Sequence, residues 1–144
     1  EIRVRAYSHL LGESSITLFA APKLARRLRK GLPRSLDGAP VLLSATGSAL
    51  RVAMERWFET VRVRPRVVAH FEDIALLSLC GQHGHGFFAG YSVIEDEIVR
   101  DYRVEAIGKI QKYQGQLYAI SVERRLKHPA IVAIMEAARE RLFT

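Results

Sequence analysis

The run Val41-Leu-Leu-Ser-Ala-Thr-Gly-Ser48 sets three hydroxyl side chains and a glycine between an apolar segment and the start of an apolar-periodic one. A loop of this kind at a helix start presents backbone N–H groups that have no intrahelical partner, at the positive end of the helix dipole. An anion or a polar ligand group docks on such a surface. The same residue types also serve a helix that caps itself through Thr46 or Ser48, and the sequence leaves both readings open. Gln82-His-Gly-His-Gly86 offers two imidazoles two residues apart. Zinc needs three or four ligands, and no nearby Cys, Asp or Glu completes a set, so the segment reads as a strand-entry loop and no metal is expected. Glu72-Asp73 and Glu95-Asp-Glu97 are paired carboxylates of a type used in acid–base chemistry. Each falls at an expected helix start, where stabilising the dipole explains it.

Cys80 is the single cysteine and lies in the apolar run Leu76-Leu-Ser-Leu-Cys80. It is expected to be a buried small hydrophobe, and one thiol forms neither an intrachain disulfide nor a thiolate zinc cluster. No Gly-x-Ser-x-Gly elbow, phosphate-binding Gly-x-x-x-x-Gly-Lys or dinucleotide fingerprint is present, so neither catalysis nor a cofactor is expected.

These segments must be positioned by a fold that 144 residues, 49% hydrophobic and 26% charged, can supply as one domain. The net charge of +7 is concentrated in Lys23-Leu-Ala-Arg-Arg-Leu-Arg-Lys30, Arg62-Val-Arg-Pro-Arg66 and Glu123-Arg-Arg-Leu-Lys127. All three are interleaved with leucine, valine or proline and read as solvated faces whose stems cover apolar surface. No helix-turn-helix, zinc-finger or RNA-binding signature accompanies them. No charge-free run is long and apolar enough to span a bilayer, which leads to the expectation of a cytoplasmic chain with no membrane partner.

Alternation predicts a strand from Ile2 to His9 and a second from Ser15 to Ala21, closed by Pro22 at a helix N1 position. A basic helix over Lys23 to Lys30 should turn Leu24, Ala25 and Leu28 inward and stop at Gly31 and Pro33. Strand Val41 to Leu43 leads into a helix from Gly47 to Val61 that buries Leu50, Ala53, Met54, Trp57, Phe58 and Val61. Strand Arg66 to Phe71, helix Ile74 to Gly81 capped by Asp73, and a short buried strand Gly86 to Ala89 follow. Ser92 and Glu95 fit a capping box for a helix ending near Tyr102. Extended segments Arg103 to Ile110 and Gln116 to Val122 precede a last helix begun by His128 and Pro129, with Ile131, Ile134, Met135, Ala138 and Leu142 as one apolar stripe. The alternation of strands and helices implies an α/β fold with partly parallel strands.

Val4-Arg-Ala-Tyr7, Phe19-Ala-Ala-Pro22, Arg34-Ser-Leu-Asp-Gly38, Trp57-Phe58, Phe71-Glu-Asp73, Ser92-Val-Ile-Glu95 and Tyr118 to Ala130 occur in an order and spacing that resembles the effector domain of LysR-type transcriptional regulators, in particular the sodium/proton antiporter regulator subgroup. The resemblance implies a type 2 periplasmic-binding-protein-like regulatory domain, in which two Rossmann-like subdomains enclose a ligand. Residues 12–108 would be the second subdomain, and residues 1–11 and 115–144 the crossing strands and returning helix. It further implies a small-molecule or ion effector held by Ser44, Thr46, Gly47, Ser48, Asp73, His85 and Phe87. DNA would be reached only through an upstream winged helix that is not in this chain, in an activator whose target could be a sodium/proton antiporter. A free-standing small-solute-binding module unrelated to transcription is the alternative. With its companion subdomain missing, the stripe of the last helix should favour self-association. Sedimentation at micromolar concentration should then find species larger than a monomer, and a monodisperse monomer would contradict this.

Overall fold

A computed structural model describes residues 5–143. The elements run β1 (Tyr7–Ala20), α1 (Pro22–Arg29), β2 (Pro40–Ser44), α2 (Ala49–Val61), β3 (Arg66–Phe71), α3 (Ile74–Gln82), β4 (Phe88–Tyr91), α4 (Glu95–Tyr102), β5 (Glu105–Ser121) and α5 (Pro129–Phe143). Contacts divide the chain into two compact units, one of residues 15–113 and one formed by the two ends of the chain, up to Ser14 and from Gln114.

In the unit of residues 15–113, β2 and β3 pair in parallel, from Pro40 opposite Arg66 to Ser44 opposite Phe71. The end of β1 pairs antiparallel with β4, from Ile16 opposite Tyr91 to Phe19 opposite Phe88, and β1 lies between β4 and β5. A parallel bridge between Val41 and Phe87 joins the two groups of strands. Leu42 N–H donates to the Phe87 carbonyl at 2.8 Å, and Phe87 N–H donates to the Pro40 carbonyl at 2.9 Å. The resulting order is β3-β2-β4-β1-β5, with β2, β3 and β4 running the same way.

Side chains that alternate along these strands feed two cores. Ile16, Leu18, Val41, Leu43 and Phe87 pack with Leu24, Ala25, Leu28, Met54 and Phe58 of α1 and α2. Phe19, Leu42 and Phe88 pack with Leu77 and Ile98 of α3 and α4. Strands covered by helices on both faces are apolar without interruption, as Val41-Leu-Leu43 is. The expected inward face of α1 is found as Leu24, Ala25 and Leu28.

Four expectations are corrected. The extended segments around Ser15 and around Gln116 belong to the unbroken 14-residue β1 and 17-residue β5, because each strand carries its pairing through the polar stretch that separated the apolar runs. Of the strand expected from Ile2, residues 2–4 lie outside the described residues. Ser92 caps nothing: a 3₁₀ turn Ser92–Ile94 precedes α4, and the Ser92 hydroxyl is taken up by Ser15 at 2.8 Å and Thr17 at 2.7 Å. Glu95 instead accepts from the fully buried Thr17 hydroxyl at 2.9 Å and pairs with Lys109 at 3.1 Å. Cys80 is half-buried rather than buried, since α3 turns Leu77, Ser78 and Gly81 inward.

In the other unit, His9 Nε2 and the Ser121 hydroxyl lie 2.8 Å apart, and Arg139 of α5 donates to the Leu10 carbonyl at 3.1 Å. Gly12 permits a close approach of the Phe143 ring, since a Cβ there would lie 2.3 Å from it. The expected stripe of α5 is split: Met135 is buried, whereas Ile131 and Ile134 face outward. Phe87→Ala removes a fully buried ring that stands edge-on to Phe58 at 6.2 Å. It should cost about 3–5 kcal/mol in urea denaturation, and a loss below about 1 kcal/mol would contradict its place at the strand junction.

Candidate functional site

The parallel strands β2 and β3 end level with one another, since Ser44 is opposite Phe71. The chain therefore turns into α2 and into α3 at the same edge of the sheet, and the two helices then pack on opposite faces. In α/β sheets the carboxyl edge of parallel strands is where ligands are held. At α2 a turn closes with Ser48 N–H on the Ala45 carbonyl at 3.1 Å, and Gly47 takes φ +83°, a left-handed conformation that favours glycine. The Ser48 hydroxyl accepts from Arg51 N–H at 3.2 Å and lies 2.9 Å from the buried Ser44 hydroxyl. Thr46 and Gly47 are exposed at the tip of this loop. At α3 the Asp73 carboxylate accepts from Ala75 N–H at 2.8 Å and Leu76 N–H at 3.4 Å. Of the two caps left open by the sequence at α2, Ser48 is the one used.

Arg51 is a candidate site residue that the sequence did not single out. Its side chain is only 11% exposed although it carries a full charge. Glu55 holds its Nε at 2.8 Å, and its Nη1 donates to the Ser44 carbonyl at 3.2 Å and to His70 Nδ1 at 2.5 Å. Guanidinium has no acceptor, so His70 accepts through Nδ1. A cation in the first turn of a helix opposes the dipole, and that anomaly was the available signal. Three residues after the capping serine, Arg51 is bound to the very strand end that leads into the loop. Tyr91 ends β4 at the same edge, because Phe87 is level with Val41. Burial pushes its hydroxyl above its usual pKa of 10, which keeps the proton on it.

Ser44, Thr46, Gly47, Ser48 and Asp73 are thus brought together at this edge. His85 and Phe87 are not. Phe87 is fully buried between the strands and α2. His85 borders a groove with Pro40 and Arg66, at the opposite end of β2 and β3, about 13 Å of strand away at ~3.3 Å per residue. No group of three or more His, Cys, Asp or Glu side chains placed to hold a metal occurs among the described residues. No helix among them is long and apolar enough to cross a membrane. Ser48→Ala should cost about 1 kcal/mol in chemical denaturation through the lost cap, and an unchanged midpoint would show that the cap is not maintained in solution.

Residues 5–143 match the LysR substrate binding domain family. The transcriptional activator protein NhaR of Escherichia coli K12 is 24% identical over 115 residues, which is 80% of this chain and 38% of that relative. The chain thus spans well under half the length of that relative. Among solved structures, the regulatory domain of Synechocystis PCC6803 CcmR in complex with 2-PG aligns with a TM-score of 0.64 at 11% identity, covering 98% of this chain and 69% of that one. The effector binding domain of QuiR in complex with shikimate aligns with a TM-score of 0.62 at 15% identity, covering 95% and 65%. These likenesses carry the α/β fold of LysR regulatory domains, and the sequence match carries the family, which is regulatory and not catalytic. The chain belongs to the LysR substrate binding domain family, as the effector-binding domain of a LysR-type transcriptional regulator.

Proposed function

We propose that this domain senses a small anionic effector at the edge where β2, β3 and β4 end, and that in the longer protein it thereby governs DNA binding and transcription. One convergence supports the site: the capped starts of α2 and α3 and the anchored Arg51 guanidinium all stand at that edge. Two helix N-termini and a fixed cation favour negative charge together. Ser44, Thr46, Gly47, Ser48 and Asp73 form the effector loops in this reading, with Arg51 added and with His85 and Phe87 left out. The small molecules 2-PG and shikimate bound to the related domains support the class of ligand.

Residues 12–108 act here as the second subdomain, and residues 1–11 and 115–144 as the crossing strands and returning helix. The separation of the chain into two compact units supports this division. An effector controls transcription only by binding one arrangement of the regulator more tightly than another. Activation is the direction supported by the relative NhaR, with a sodium/proton antiporter as the proposed target. Self-association belongs to the same reading and is supported by Ile120, Val122 and Ile134, which are 72%, 68% and 67% exposed.

A calorimetric screen of small carboxylic acids, shikimate included, tests the site. A bound acid should lose roughly 10- to 100-fold in affinity in Arg51→Ala, as expected for about 1.5–3 kcal/mol from a charge-assisted hydrogen bond. Unchanged affinity in both Arg51→Ala and Ser44→Ala, with the fold retained by circular dichroism, would remove the site.

A further inference from the structure

At the other end of β2 and β3 lies a groove of about 830 Å³ that the effector site does not use. Lys23 and Arg27 from α1, Arg66 from β3, and His83 and His85 from the turn after α3 converge on it. Among the described residues no aspartate or glutamate lines it. The ion pairs among the described residues are Arg29 with Glu105, Arg51 with Glu55, Arg100 with Asp101 and Lys109 with Glu95, and none engages these five side chains. The carboxylate nearest in sequence, Asp37, is held by the Arg64 N–H at 2.8 Å. Lys23 and Leu24 also line the groove from the first turn of α1, whose start has no side-chain cap and no acidic residue. Lys23 therefore adds a like charge to a positive helix end, an arrangement that opposes folding unless an anion relieves it.

We propose that this groove is a second anion site, for a small molecule that carries more than one phosphoryl charge. A single carboxylate would neutralise one of the converging cations and leave the others facing each other. A phosphoryl group offers several acceptor oxygens to arginine forks and to backbone N–H groups at once. The volume matches ordinary small-molecule sites of roughly 300–1,000 Å³. The cations point into one concavity rather than along a ridge, which favours a compact ligand over a nucleic-acid backbone.

Titration of the isotopically labelled chain with inorganic pyrophosphate at low salt tests this proposal. Saturable binding is expected, with the largest amide shifts at Lys23, Leu24 and His83. Affinity should fall with added salt, and by at least about tenfold in the exposed double variant Arg27→Ala with Arg66→Ala. No saturation, or equal affinity in the double variant, would overturn the proposal. So would loss of binding in Arg51→Ala with retention in the double variant, which would move the anion to the effector edge. A short DNA duplex that binds more tightly than pyrophosphate with the same variant sensitivity would also overturn it, by making the groove a nucleic-acid contact.

Discussion

The backbone bridge at Phe87 is the constraint on which the domain depends. Its two hydrogen bonds, from Leu42 to Phe87 and from Phe87 to Pro40, join the parallel pair β2–β3 to β4 and through it to β1 and β5. The approach is close enough that a Cβ at Gly86 would lie 2.9 Å from the Pro40 carbonyl oxygen, so glycine is required beside the bridge. Because the bridge sets β4 level with β2, Ser44, Phe71 and Tyr91 finish at the same edge. The starts of α2 and α3 follow from that alignment. The same registration sends His83 and His85 to the opposite end. One pair of hydrogen bonds thereby separates an edge built of caps and one anchored arginine from a groove lined with basic side chains that have no ion-pair partner among the described residues.

Electrostatics distinguishes the two ends. At the proposed effector edge two charges are held: Arg51 by Glu55, His70 and a carbonyl, and Asp73 by the N–H groups of its own helix. A ligand at that edge would meet side chains already held in place, which would lower the cost of binding. In the groove at the other end the cations are exposed and lack carboxylate partners among the described residues, so charge repulsion is left for a ligand to relieve. The net charge of +7 is therefore not spread evenly over solvated faces.

Much of this was legible in the sequence where one local force dominates. Pro22 at the start of α1, Asp73 capping α3 and the inward Leu24, Ala25 and Leu28 all follow from local geometry and helical periodicity. The long strands β1 and β5 were not legible, because pairing partners far along the chain carry them through polar residues that read locally as breaks. Ser92 and Glu95 match a capping pattern, yet the buried Thr17 hydroxyl needs partners, and that tertiary demand takes both residues. The loop Ser44 to Ser48 and the cap at Asp73 were readable as a candidate site, whereas Arg51 joins them only through folding. His85 lies at the other end of β2 because it precedes β4, and only the fold makes β4 run parallel to β2.

The most direct test of the effector edge is the location of a bound acid by amide shift mapping on the labelled chain. Perturbations are expected to concentrate at residues 44–51, 73–76 and 90–92, with residues 83–85 little changed. Perturbations centred on residues 83–85, or absent from the loop that ends at Ser48 in a complex of measurable affinity, would contradict it.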